Sequence, residues 1–406
     1  MYSIIAIYCI IYLLPTIFLN ILQIYHIRLH ANKEPVILNK QDYIIAANYN
    51  IIECKVKILN SICSAIFMVL WFAFGIEYLY GYIASLGIDN KFQIGWYALM
   101  CFVAINILLE LPFDIIGLKI DTKFGFNKQS IESFLCDKLK ESILSLILFG
   151  IVFAVLLWIM ETFKFWWIIS FSVVFCFIIL IQLIHPTIIA PMFNKFIPLQ
   201  DEELKTRIQE LMTRVGFKSN GVFVMDASRR DGRLNAYFGG LGKSKRVVIF
   251  DTLLDKISQD GLIAILGHEL GHFKNGDIIK NIILVGIVIF ICFAIMELLF
   301  HDICSYMGIQ EANSNVIMIT ILIMPAIIFL IKPIQSYFSR KAEYKADLFG
   351  ASCVSKKTLR ETLIRLVNEN KTFPHSHPAY IFFYFSHPPL IDRLNALKDD
   401  EKEKNT

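Results

Sequence analysis

The sequence predicts a mainly α, polytopic membrane protein of seven helices, with a small α+β domain on one side of the bilayer. Three observations predict it. The 406 residues are 56% hydrophobic and 18% charged, with a mean hydropathy of +0.57, too apolar to cover a soluble chain of this length. Seven apolar runs, at 3–24, 60–84, 94–118, 143–161, 165–185, 278–300 and 315–334, have the length of transmembrane helices. The basic residues are one-sided: of 39 Lys and Arg, all but Lys91, Lys164 and Lys280 fall in alternate loops and the C-terminal region. Positive charge stays inside, so the N-terminus is expected outside and the C-terminus in the cytosol.

Residues 1–185 hold the first five spans with their cytosolic loops. The first run, Ile4–Leu22, lacks a basic n-region and a small-residue cleavage pattern, and reads as a retained span. Runs 143–161 and 165–185 share only a Glu161–Lys164 turn, so they either cross the membrane or form a hairpin that dips into it. Residues 186–277 form the folded cytosolic domain. An amphipathic helix is expected from Glu202 to Val215, then short strands at Val222–Met225, Ala236–Phe238 and Val247–Phe250, set apart by Gly-rich turns. A helix follows from an N-cap at Ser258 to a stop at Asn275-Gly276. Residues 278–334 hold spans six and seven. Residues 335–406 are a second cytosolic region, helical at first and ending in a charged, disordered tail, Asp399–Thr406. Glu77, Glu110 and Glu297 lie in spans, where they should face the bundle interior or hydrogen-bond between helices.

Composition also excludes classes. A net charge of +4 is too small to argue for nucleic acid, and nine scattered Cys with no C-x-x-C pair suggest neither a disulfide framework nor a Cys-zinc site. The chemistry resides in Gly267-His268-Glu269-Leu270-Gly271-His272. On a helix, His268 and His272 share a face and can bind Zn²⁺, with Glu269 beside it as general base. The plain alternative, two core histidines, leaves Glu269 without a reason. A catalytic zinc takes three protein ligands, and beyond the last span stands Arg340-Lys341-Ala342-Glu343-Tyr344-Lys345-Ala346-Asp347. Glu343 can ligate while Asp347, one turn on, holds the far N–H of a ligand histidine. Otherwise this is a solvated, charge-rich helix turn.

An ordered set of motifs resembles the type I CAAX prenyl proteases, an integral-membrane gluzincin family. They are Leu111-Pro112-Phe113-Asp114, Phe124-Gly125-Phe126-Asn127-Lys128, Pro191-Met192-Phe193-Asn194-Lys195-Phe196 and Asn235-Ala236-Tyr237-Phe238. They continue with Lys245 to Leu253, the H-E-L-G-H run, the Glu343–Asp347 pair, and Ser386-His387-Pro388-Pro389 with Arg393-Leu394. The resemblance implies seven helices enclosing a water-filled chamber, with a zincin-like protease domain sealing its cytosolic end. It implies one Zn²⁺ on His268, His272 and Glu343, and Glu269 as base. It implies substrate contacts from Asn235 and Tyr237 in the N-A-Y strand, His387 at the substrate or oxyanion, and Arg393 in support of the same site. One departure stands out. A Ser-x-His step precedes N-A-Y in the family, whereas this chain reads Ser228-Arg229-Arg230-Asp231-Gly232-Arg233-Leu234.

The expected activity is zinc-dependent hydrolysis of peptide bonds at the cytosolic face. The implied partners are the lipid bilayer and a peptide or protein substrate, lipidated in eukaryotic members; no oligomeric state is legible. A bacterial inner membrane, or an endoplasmic-reticulum membrane in a eukaryote, is the expected location. One alternative is a quality-control protease without a lipid requirement. Another, from a different class, is a transporter or scaffold whose metal is structural.

Overall fold

The structure is a computed structural model and describes residues 2–240, 242 and 245–398. The expected tail at Asp399–Thr406 lies outside the described residues. Among the described residues seven helices are long and apolar enough to cross a membrane. The first five are α1 (Tyr2–Ala31), α2 (Lys40–Ser85), α3 (Lys91–Lys123), α4 (Ile131–Thr162) and α5 (Trp166–Met192). The pair α4 and α5 is therefore two helices of spanning length. Their starts are set by local chemistry: Asn39, Asn90 and Ser130 each accept a hydrogen bond from a first-turn N–H of α2, α3 and α4. The end of α3 is a left-handed stop, with Gly125 at φ +82° and the Phe126 N–H donating to the Asp121 carbonyl at 2.9 Å.

The folded domain follows as β1 (Phe196–Pro198), α6 (Glu202–Arg214), β2 (Val222–Met225), β3 (Ala236–Gly239), β4 (Arg246–Phe250) and α7 (Gln259–Lys274). Strand order is β1-β2-β4-β3. β1 and β3 pair antiparallel to β2 and β4, while β2 and β4 run parallel. Alternate residues Val222, Ala236, Val247 and Ile249 pack with Leu204, Ile208 and Leu211 of α6 and Leu262, Leu266 and Leu270 of α7. The chain then continues as α8 (Asp277–Met307), α9 (Asn313–Cys353), α10 (Lys356–Glu369), α11 (Pro378–Tyr384) and α12 (Leu390–Ala396).

The apolar windows of the membrane helices differ in burial, from 6% of residues in α5 and 11% in α3 to 39% in α9. Charged groups line the α3–α4 contact, where Lys138 pairs with Asp114 at 3.0 Å and Glu141 at 2.9 Å. Glu77 takes the hydrogen-bonding option, its carboxylate accepting from the Gln310 N–H at 2.9 Å in the loop before α9.

Candidate zinc site

Helix α7 forms where expected. The Ser258 hydroxyl accepts from the Gly261 N–H, and Gly276 leaves the helix at φ +69°. Every residue from Gly261 to His268 is buried, so α7 is a core helix wedged between the sheet and α9. The approach to α9 rests on glycine. A Cβ on Gly271 would sit 2.9 Å from the Ala346 Cα, one on Gly267 would sit 2.9 Å from the Cys353 Sγ, and one on Gly350 would meet the Ala264 carbonyl oxygen at 2.8 Å. Backbone therefore lies against backbone along the crossing, and α9 delivers Glu343 and Asp347 into contact with His268 and His272.

The donor atoms converge. His268 Nε2 is 3.4 Å from Glu343 Oε2, and His272 Nε2 is 3.2 Å from Glu343 Oε1. Among the described residues these three form the one group whose metal-donor atoms all lie within 4.8 Å of each other. The opposite ring nitrogens are engaged by carboxylates. His268 Nδ1 donates to Asp347 at 2.9 Å and His272 Nδ1 donates to Asp277 at 3.1 Å. That assignment leaves both Nε2 lone pairs facing Glu343, the arrangement that prepares imidazoles for a metal.

Glu343 tests the fit. It is 3% exposed, and its Oε2 is buried without a hydrogen-bond partner. An unpaired buried carboxylate oxygen is costly, and a cation placed among the three residues relieves it. Two imidazole nitrogens and one carboxylate are a donor set that suits zinc. The electrostatics agree. Burial alone would lower the His268 pKa, but the hydrogen bond to Asp347 and the nearby Glu343 carboxylate outweigh it and raise it to about 9. His272 is also raised, against burial, by Glu343. The pocket thus demands positive charge, which metal supplies in exchange for protons. Glu269 stands outside this carboxylate network, and burial, offset in part by the two histidines, raises its pKa.

Arg393 does not reach outward. Its Nε and Nη2 donate to both Asp347 oxygens at 2.8 and 2.6 Å, and Nη1 stands 3.7 Å from Glu343. This fork holds Asp347, which holds His268, so the arginine acts on the site from behind. His387 is 63% exposed, with Nε2 3.3 Å from Glu343 Oε1, and its Nδ1 meets the Ser386 hydroxyl at 2.9 Å. Although the ring is exposed by surface area, the protein mass around it desolvates it, and this, with nearby Arg393, lowers its pKa despite the pull of Glu343.

Asn235 is exposed at the start of β3. Its side-chain oxygen accepts from the Ala236 N–H at 2.9 Å, and its carbonyl accepts from Phe250. Among the described residues β3 pairs only with β4 and is an edge of the sheet. The Tyr237 ring packs against Met225, Ala227 and Val248 on the sheet face away from α6.

Two contributors escaped the sequence reading. Asp277 lies past the α7 stop, in the first turn of α8, and only its place five residues after His272 hints at its contact. Arg340 donates to the Ile381 and Phe385 carbonyls at 3.0 and 2.8 Å, holding the end of α11 just before Ser386-His387. No motif signals that pairing.

Comparison with known proteins places these features together. Residues 198–401 match the model of peptidase family M48, and residues 23–195 match that of the CAAX prenyl protease N-terminal region, described as five membrane helices. CAAX prenyl protease 1 of Saccharomyces cerevisiae is 33% identical over 335 residues, covering 75% of this chain and 73% of that protein. A CAAX prenyl protease 1 homolog of Arabidopsis thaliana is 32% identical over 305 residues, 73% and 71% of the two chains. The crystal structure of S. mikatae Ste24p superposes with a TM-score of 0.88 at 27% identity, covering 98% of each chain.

Proposed function

This chain belongs to peptidase family M48 and is a multi-pass membrane metalloprotease, and from that premise we propose that it cleaves C-a-a-X-type protein C-termini, with Glu269 as its general base. The observation that carries the proposal is the convergence of His268, His272 and Glu343, whose Oε2 lacks a hydrogen bond, with Glu269 close enough to feel all three. Those three residues would hold the zinc, which supplies a Lewis acid able to acidify water and polarise a scissile carbonyl. Glu269 takes a proton from the attacking water and passes it to the leaving amine. A burial-raised pKa suits a group that must both accept and return a proton. Asp347 and Asp277 keep the two ligand imidazoles in one tautomer and orientation.

On the substrate side, Asn235 and Tyr237 turn their backbone groups to β4, so the open edge of β3 offers those of the alternate residues Ala236 and Phe238 to an extended peptide, as in strand addition. The Asn235 side chain is exposed at its start, and Tyr237 braces the strand from the sheet face. His387, exposed beside Glu343, donates a hydrogen bond to the oxyanion as charge develops there. The C-a-a-X substrate class rests on the named activity of the yeast and plant relatives. The zinc-site motif and Glu343 lie in the lysine- and arginine-rich segments 186–277 and 335–406, which supports a cytosolic active site.

The test is cleavage of a farnesylated peptide and its unlipidated twin by purified protein. Glu269→Gln should keep its zinc and lose about 10²–10⁴-fold in kcat. Full activity in that variant ends the mechanism. Equal cleavage of both peptides, or preference for an unfolded membrane protein, would favour the quality-control reading.

A further inference from the structure

A second histidine cluster lies away from the zinc site, where the first helix meets the segment leading into α11. It gathers four of the chain's nine His. His26 and His30 are one turn apart on α1 with ring centroids 4.2 Å apart, closer than the 5.0 Å of His268 and His272. His375 stacks on His30 at 4.6 Å, and His377 meets His26 edge-on at 5.6 Å. The segment is anchored from below and beside. Phe373 is buried with Ile27, Leu38 and Tyr43. Gln23 donates to the Ser376 hydroxyl at 3.0 Å and accepts from the His377 N–H at 2.8 Å.

The hydrogen bonds sort the four rings by tautomer. His30 Nδ1 faces the His26 carbonyl at 2.9 Å; a carbonyl only accepts, so the proton is on Nδ1 and the Nε2 lone pair is free. A backbone carbonyl in that role is what orients many metal-binding imidazoles. His377 is the opposite case, since its Nδ1 accepts from the Ala379 N–H at 3.2 Å and the proton must be on Nε2. His26 and His375 make no ring hydrogen bond among the described residues, so each is free to turn about its broad ring torsion.

We propose that His26, His30 and His375 form a second transition-metal site, for a borderline divalent ion such as Cu²⁺, Ni²⁺ or Zn²⁺, that staples the first helix to the C-terminal segment. Imidazole-only sites select these ions, and the i, i+4 pair on α1 repeats the spacing of the zinc helix. The rings rest stacked rather than converged, since only His268, His272 and Glu343 bring their donors within 4.8 Å among the described residues. Binding therefore takes ring rotation, with the backbone already in place. The stapled segment runs through α11 into His387, so an ion there also tethers the path to the substrate-facing histidine.

The experiment uses full-length protein in detergent. A His268→Ala/His272→Ala variant removes the first site, and Cu²⁺ is then titrated and followed by electron paramagnetic resonance. A bound ion with nitrogen hyperfine coupling is expected, with affinity at least tenfold weaker on adding His30→Ala or His375→Gln. No nitrogen-coupled signal, or one indifferent to both substitutions, overturns the proposal. Zinc content after dialysis is the second measurement and needs no catalytic-site variant. Wild type should hold one more equivalent than His30→Ala; equal content in the two overturns the site as well. Peptidase activity of wild type is read separately and bears only on the first site.

Discussion

Asp277 shows how far a metal centre extends beyond the residues of its motif. Its carboxylate accepts from His272 Nδ1 at 3.1 Å while also pairing with Lys280 at 3.0 Å. Removing such a partner frees the ring to rotate and weakens metal binding about 10–100-fold. Asp277→Ala should show that loss in competition with a chelator, with turnover largely restored at excess zinc. Asp347→Ala should behave differently. Asp347 is 2% exposed and takes both the His268 N–H and the Arg393 fork. Truncating it strands a buried guanidinium, a change that costs about 3–5 kcal/mol, so excess zinc should not rescue it. Thermal inactivation rates separate the two variants: Asp277→Ala stays near wild type, and Asp347→Ala inactivates faster.

At the scale of elements, the crossing of α7 and α9 decides whether a site exists. Gly271 lies inside the H-E-L-G-H run, and its missing side chain is what lets Ala346 approach. Because a Cβ there would strike the Ala346 Cα at 2.9 Å, Gly271→Ala must push the helices apart. Overpacking of this kind costs about 1–3 kcal/mol, and it moves Glu343 away from both histidines. Zinc occupancy and stability should fall together. Ala346→Gly should not rescue the variant, since the clash is with backbone. Gly81→Ala is the control: nothing lies within 4 Å of its Cβ position, and an exposed helical Gly→Ala change is neutral to stabilising.

At the scale of the molecule, the loop before β3 joins the zinc domain to the helices. Arg230 donates to Asp137 of α4 at 2.8 Å. Arg233 donates to Tyr49 of α2 at 2.9 Å and Asp121 of α3 at 3.1 Å, with its guanidinium 4.5 Å from the centre of the Phe126 ring. Asn370 brackets the next residue, accepting from the Leu234 N–H at 2.8 Å and donating to its carbonyl at 3.2 Å. This is the stretch where the chain departs from the family's Ser-x-His step, and its arginine serves as a tie. Arg233→Ala removes charge-assisted hydrogen bonds worth roughly 1–3 kcal/mol, reduced because the side chain is 33% exposed. Zinc content should stay at wild type, while kcat/KM falls and the thermal half-life shortens, as β3 loses its anchor to the bundle. Unchanged kcat/KM would show that the strand holds its place without this tie.

Much of this was legible because it is periodic or local. Apolar runs of spanning length need no partner to declare a membrane helix. The N-cap at Ser258, the stop at Asn275-Gly276 and the strands β2, β3 and β4 follow from neighbouring residues alone. The H-E-x-x-H spacing states its chemistry through one helical turn, and the charge-rich turn at Glu343 and Asp347 marked itself by the same spacing. Strand β1 was not anticipated, since three residues ending in Pro198 carry no alternation to read. Asp277, Arg340 and the inward aim of Arg393 were hidden for a related reason: each acts on a partner in another element, from α8 to α7, from α9 to the end of α11 and from α12 to α9. The sequence by itself determined the class, the helices and the reacting groups. Only the tertiary structure decided which carboxylate faces which ring nitrogen, because that depends on how closely two helix backbones approach.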